Sequence, residues 1–229
     1  MATRTARTEA PLATEDTPPR RRPGRPTLSN EELLDKALDL FLEQGFERTS
    51  IDAITAAAGM AKRTVYARYG DKTSLFKAAL KRAVEVWIVP VESLRAAETE
   101  DFEQTLRAIG DILVANLLTP AGLRLLRLTN AVSGQMPDIG AFSVRVGTEP
   151  TIAYLTDLFL RHLGPAGLGA AEARLAASAF LNLVVGGPAN AAAWGVETPP
   201  EDVAAYTRFS IGVMLNGLRS LGNKAEPAS

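Results

Sequence analysis

The stretch TSIDAITAAAGMAKRTVYARYGDKTSLF, residues 49–76, constrains this chain more than any other. Ile51 to Ala58 reads as a short helix that Thr49 or Ser50 can cap. Gly59 ends it, and a second helix is predicted from Lys62 to Tyr69. Two short helices joined by so tight a turn form a helix-turn-helix, whose second helix enters the DNA major groove. Lys62, Arg63 and Arg68 supply positive charge there, and Thr64 and Tyr66 supply hydroxyls. Val65 and Tyr69, four apart, share one face and can pack inward. The charged positions then point away from the core, where phosphates and base edges would sit. Paired amphipathic helices around a glycine also occur in bundles with no DNA role, but here the spacing, the polar residues and Lys72 coincide. Ile54, Val65, Tyr69 and Phe76 read as core rather than contact, and Tyr66 as either a phosphate contact or partial packing.

The flanks extend this unit. Ser29 or Asn30 can cap a helix running to about Gln44, with Glu31 and Glu32 in its first turn and Gly45 after its end. Leu34, Ala37, Leu38, Phe41 and Leu42 form its apolar stripe. A fourth helix opens near Lys72 and runs toward Ala97, with a kink expected at Pro90. Its N-terminus offers free amides, the positive dipole end and the Lys72 ammonium to a phosphate. Its far end should reach a second domain, which makes it the lever between the two. Residues 1–27 are rich in Thr, Ala, Pro and Arg without apolar periodicity and read as a disordered arm. Within it RRRPGRP, Arg20 to Pro26, is close to an AT-hook core. Arg22 and Arg25 could lie in a narrow minor groove, or the segment could be a solubilising basic tail.

From Phe102 onward everything reads helical. Segments near 102–118, 121–135, 138–146 and 149–163 are separated by Pro120, Pro137 and Pro150. Two last helices run at about 171–193 and 200–221, and Gly186-Gly187-Pro188 should break or bend the first. A short disordered tail, 223–229, follows. Strand-like alternation and internal repeats are both missing, so the expected fold is all-α: a helix-turn-helix domain over 28–72 and a helical body over 73–222. The last two helices are dense in small and apolar residues. Leu183, Val184, Phe209, Val213, Met214 and Leu218 are the candidates for a dimer face, against burial within one subunit.

Composition narrows the chemistry. The chain has 229 residues with 46% hydrophobic and 22% charged, an ordinary globular balance. Its net charge of −1 gives no global signal for nucleic acid, so the basic clusters carry that reading locally. It holds no cysteine and one histidine, His162. Cysteine nucleophiles and disulfides are thereby excluded, no cofactor or metal is expected, and His162 reads as a packing or surface residue. No Ser-His-Asp order and no carboxylate pair in an apolar helical setting supports an enzyme. The loop Gly164–Ala170 lacks the Gly-Lys-Ser/Thr of a phosphate loop. No apolar run approaches the roughly 18–20 residues of a membrane span, and the N-terminus is too polar for a signal peptide, so no membrane partner and a cytoplasmic location are expected.

The motif resembles the TetR family of bacterial repressors over about residues 28–80. Ala58, Gly59, Thr64, Val65, Tyr66, Tyr69, Lys72, Leu75 and Phe76 match the family's run. Ala61 departs from it, standing where Ser or Thr usually caps the recognition helix. Arg63 replaces the common Gly, and Ala67-Arg68 replace a His-aromatic pair, which makes the operator sequence unpredictable. Residues 106–128, LRAIGDILVANLLTPAGLRLLRL, look like the start of the AefR-like ligand domain. The resemblance implies a homodimeric repressor on an inverted-repeat DNA operator, released by a small apolar or amphipathic inducer. Base readout would fall to Lys62, Arg63, Ala67 and Arg68, and phosphate contacts to Thr49, Thr64, Tyr66 and Lys72. Candidate pocket residues are Phe102, Ile109, Leu113, Leu126, Asn130, Met136, Phe142, Phe180 and Trp194. Arg145 could pair an acidic ligand or make a surface salt bridge. The alternative is a DNA-binding protein, architectural or partner-controlled, with no small-molecule site.

Overall fold

The structure is a computed structural model that describes residues 29–222. The arm expected over 1–27, with Arg22 and Arg25, and the tail 223–229 lie outside the described residues. Local signals set the first helices. Ser29 starts α1 (Asn30–Gln44) with a capping box: its hydroxyl accepts from the Glu32 amide, and the Glu32 carboxylate accepts from its own amide. Ser50, not Thr49, caps α2 (Ile51–Ala58). Gly59 ends α2 at φ 58°, a left-handed conformation that only glycine takes without strain. Then come α3 (Lys62–Tyr69), whose Ala61 cap makes no side-chain hydrogen bond, and α4 (Lys72–Trp87), capped by Asp71 through the Ser74 amide.

The expected single helix from Lys72 toward Ala97 is two helices. Proline disfavours α geometry in the residue before it, and the chain leaves the helix at Ile88 (ψ 134°), short of Pro90. Pro90 then caps the short α5 (Val91–Arg95). Next are α6 (Phe102–Leu117) and α7 (Pro120–Ser133), bent 75° from each other. The remaining helices are α8 (Pro137–Ser143), α9 (Glu149–Leu163), α10 (Ala170–Phe180), α11 (Gly187–Ala193) and α12 (Pro200–Gly222). The described residues contain no strand, so the fold is all-α.

Neither Pro150 nor the Gly186-Gly187-Pro188 run breaks the chain's helical path. Wide π turns, Val144–Thr148 and Leu181–Gly186, run α8 into α9 and α10 into α11. Proline lacks an N–H and its ring collides with the carbonyl four residues back. A turn closed five residues apart, as between the Glu149 amide and the Val144 carbonyl, opens the helix just before Pro150 and absorbs that conflict. The resulting run Ala170–Ala193 is 24 residues long, and by length and apolar composition it could cross a membrane, contrary to the expectation that no segment could. In this fold Ala173, Ala177, Phe180 and Val184 of that run pack into a core instead.

Two apolar cores result. The first joins α1–α4 to the inner faces of α7 and α8, where Leu125, Val132, Met136, Ile139 and Phe142 contribute. Its centre is aromatic: the Phe76 ring meets Phe41 at 4.9 Å and Phe46 at 5.0 Å, both edge-on. The second core lies among α6, α9, α10 and α12, around Ile109, Leu158, Phe159, Phe180 and Ile211. Helix α4 carries Leu75, Phe76, Ala79, Leu80 and Val84 into the first core, and its last turn is tied to α6 by the Trp87 indole N–H donating to the Asn116 carbonyl at 3.4 Å and the Asn116 amide donating to the Trp87 carbonyl at 3.0 Å. Removing the Phe76 ring leaves a void at the point where α1, α4 and the α1–α2 loop meet. Phe76→Ala is expected to cost about 3–5 kcal/mol of stability in a urea unfolding titration.

Candidate nucleic-acid interface and ligand cavity

Helix α3 buries Val65 and leaves Lys62, Arg63, Tyr66, Ala67 and Arg68 exposed, with Thr64 half-buried. The inward face is completed by Tyr69, whose hydroxyl donates to the Asn30 side chain at 2.6 Å; the Arg68 guanidinium donates to the same oxygen at 3.3 Å. Asn30 thus ties the start of α1 to the end of α3. The Lys62 ammonium sits 2.8 Å from Asp52 on α2. That hydrogen bond raises its pKa above the ordinary lysine value. Both side chains are more than half exposed, so solvent screens the pair and a phosphate or guanine could replace Asp52.

Two of the expected phosphate contacts are placed differently. Thr49 is a correction: it is 1% exposed, and its hydroxyl donates within the loop, to the Gly45 carbonyl at 2.8 Å or the Leu40 carbonyl at 3.2 Å. Its one proton is committed to holding the α1–α2 loop, so it does not face DNA. Lys72 is half-buried. Its ammonium donates to the Phe46 and Glu47 carbonyls at 2.9 and 3.2 Å and lies over the Phe46 ring. Two of its three N–H groups are thereby used, leaving one direction for a phosphate at the N-terminus of α4.

A cavity of about 660 Å³ opens in the seam between the two cores. Helix α4 walls it with Val84, Trp87 and Ile88 of its last turns. Leu113, Asn116 and Leu117 of α6 and Leu125, Leu126, Thr129, Asn130 and Ser133 of α7 form further walls. Both π turns line it too, through Val144, Gly147 and Thr148 on one side and Leu181, Asn182, Val185 and Gly186 on the other. Val84, Leu117, Leu125 and Ile152 are buried at the floor, whereas Asn130, Val144, Thr148 and Asn182 are exposed and mark the mouth.

Of the expected pocket residues, Leu113, Leu126 and Asn130 lie on this wall. The others do not. Ile109 and Phe180 fill the second core, and Met136 and Phe142 the first. Phe102 packs edge-on against Phe159 at 5.5 Å and stacks on His162 at 4.4 Å, which gives the lone histidine a packing role. Trp194 is 84% exposed beyond the end of α11. The large apolar side chains consolidate the cores; space is left where side chains are short, at Gly140, Gly147, Ser178 and Gly186. Arg145 is also off the wall, its guanidinium 5.7 Å above the Phe142 ring. Pro150 and Pro188, expected to interrupt helices, instead follow the two π turns that line the cavity.

The expected dimer residues divide into two faces. Leu183, Phe209 and Val213 are exposed, Phe209 at 72%, and Leu175 and Tyr206 join them. Val184 and Met214 are corrections, because both are buried in the second core. Val184 packs over Gly110, where an added Cβ would come within 3.0 Å of its methyl. Leu218 is half-buried against the same core. Helix α12 therefore has one apolar stripe inside the subunit and a second, Tyr206-Phe209-Val213, outside it.

Comparison with known proteins agrees with this geometry. Residues 33–79 match the family model described as bacterial regulatory proteins, tetR family, and residues 104–216 match the AefR-like transcriptional repressor, C-terminal domain. The HTH-type transcriptional activator FasR of Mycolicibacterium smegmatis is 30% identical over 156 residues, covering 67% of this chain and 68% of FasR. The chain belongs to the TetR family of bacterial transcriptional regulators. The HTH-type transcriptional repressor ComR of Escherichia coli (strain K12) is 31% identical over 121 residues, 51% of this chain; the chain spans only 57% of the length of ComR. The solved structure of the flavonoid-responsive regulator FrrA superposes with a TM-score of 0.61 at 26% identity, over 82% of this chain and 95% of that one.

Regulators of the TetR family are DNA-binding proteins and not enzymes. Helices α2 and α3 are the helix-turn-helix within the matched DNA-binding region. For this TetR-family regulator the buried Thr49 hydroxyl gives a separable prediction. Thr49→Ala should lower stability by about 1–3 kcal/mol, because it leaves loop carbonyls unpaired. At a temperature where the variant is folded, the salt dependence of its DNA binding should equal that of the parent, since no phosphate contact is lost.

Proposed function

We propose that this regulator acts in the cytoplasm as a homodimeric repressor on an inverted-repeat operator and is released when a small apolar or amphipathic molecule fills the seam cavity. The observation that carries this reading is the position of the cavity. Its wall includes the last turns of α4, whose first turns are packed into the core that holds α3. A ligand there can act on the recognition helix through one rigid element, provided it binds the DNA-incompetent arrangement more tightly. A body packed solid would have favoured a DNA-binding protein without an effector. Repression is the role named in the description of the C-terminal family and for ComR, while FasR is an activator.

The dimer is supported by the exposed stripe Tyr206-Phe209-Val213 beside Leu175 and Leu183, an apolar patch that water disfavours. Two-fold pairing through it would set two α3 helices in major grooves about 34–36 Å apart. Arg63, Ala67 and Arg68 would read bases, with Lys62 joining once it leaves Asp52; Thr64, Tyr66 and the free direction of Lys72 would hold phosphates.

Selection of fragmented genomic DNA by the purified protein tests the whole reading. A recovered short inverted repeat is expected, and recovery of AT-rich, non-palindromic DNA alone would contradict it. Arg63→Ala should then cost about 1–3 kcal/mol at one base position and leave the others unchanged. Phe209→Glu combined with Val213→Glu should give a monomer in sedimentation velocity and abolish tight binding to the full repeat.

A further inference from the structure

The chemistry of the cavity wall selects among ligand classes. Among the described residues, none that lines the cavity is Asp, Glu, Lys, Arg or His. An ion entering such a site would lose its hydration without gaining a counter-charge, which costs far more than burying a neutral group. The Arg145 guanidinium stands over the Phe142 ring, and the residue is not on the wall. Carboxylates and ammonium ions are both disfavoured.

The wall is nevertheless polar in a particular sense. Ser133, Ser143, Thr151 and Ser178 each place a hydroxyl within hydrogen-bond distance of a backbone carbonyl of their own helical run, at 3.0, 2.9, 3.3 and 3.1 Å. A carbonyl only accepts, so in this arrangement each hydroxyl donates its one proton there. What these side chains still offer is oxygen lone pairs. The Asn182 amide spends one of its two N–H groups on the Ser178 carbonyl at 2.9 Å, and its oxygen stays open to an incoming donor. The inner wall thus presents several acceptors around an apolar floor of Val84, Leu117, Leu125 and Ile152, while Thr129, Asn130 and Thr148 add groups that can donate or accept.

We propose that the ligand of this cavity is an uncharged molecule with an apolar body that carries hydrogen-bond donors, hydroxyl or N–H groups, at more than one point. This rests on the reading of the cavity as an effector site and narrows its chemistry. A volume of about 660 Å³ lies within the range that takes a drug-sized compound of one or two rings with substituents. An acid or amine could enter only in its neutral form.

A matched series of probes decides it: 2,2-diphenylpropane carrying, at both para positions, hydroxyl, methoxy, carboxylate or aminomethyl groups. Binding is read by the thermal midpoint and by isothermal titration at pH 7.5, and release by the anisotropy of labelled operator. The dihydroxy compound should stabilise the protein and displace it from DNA. Its dimethoxy analogue, with two donors removed, should bind about tenfold more weakly. The dicarboxylate and the diammonium compound should do neither. Equal binding by the dimethoxy compound would overturn the donor requirement. Binding and release by either charged compound would overturn the charge requirement and leave the effector site standing. No binding by any member, with operator affinity intact, would remove both the ligand class and the effector site.

Discussion

Helix α4 is held by two different sets of partners, and the rest of the molecule is arranged around that fact. Its first turns bury Leu75, Phe76, Ala79 and Leu80 in the core that orients α3. Its last turns present Val84, Trp87 and Ile88 to a space that the protein does not fill. Close-packed interiors transmit displacement because neighbours have nowhere to yield. The aromatic junction of Phe41, Phe46 and Phe76 makes the head end of α4 such an interior. The seam end is the opposite: an under-filled region bounded by short side chains and two widened helical turns.

The helix-turn-helix was legible in the sequence because its signals are local. Ser50, Gly59 and Asp71 cap or stop helices through atoms within a few residues, and α2 and α3 fall on the bounds that the pattern predicts. Val65, Ile54 and Phe76 are buried as the spacing requires. Thr49 was misplaced because a hydroxyl next to a helix start has two local uses, and only the packed loop shows that its proton goes back to Gly45 or Leu40. The cavity was much less legible. Bulky residues such as Phe102, Ile109 and Phe180 were expected to line it, yet bulk is what fills a core. An unfilled space is a property of how α4, α6, α7 and two π turns meet, and no single segment encodes that. The same limit applies to α12, where Val213 and Met214 are neighbours in sequence but face solvent and core respectively.

Electrostatics at the recognition face is local rather than global. The chain as a whole carries −1, yet α3 exposes Lys62, Arg63 and Arg68 without an acidic residue among them. Asp52 on the preceding helix occupies Lys62 in the free protein. Ala61 leaves the first turn of α3 without a side-chain cap, so its amides point outward unpaired by side chains. Those amides and the positive end of the helix dipole suit an approaching phosphate. The absence of a local cap is therefore consistent with a helix that completes its hydrogen bonding on DNA.

If the seam cavity acts through the end of α4, filling it should weaken DNA binding. This can be tested without knowing the ligand. Gly147 lies in the first π turn, and a Cβ placed there would touch the Ile88 side chain at 3.5 Å, at the end of α4. Gly147→Phe directs a ring into the cavity from that point. The decisive measurement is the affinity of this variant for the selected operator by fluorescence anisotropy, at a temperature where circular dichroism shows a helix content equal to the parent's. A loss of at least about tenfold with the fold retained is expected. Parental affinity in a variant whose crystal structure shows the ring seated in the cavity would contradict it.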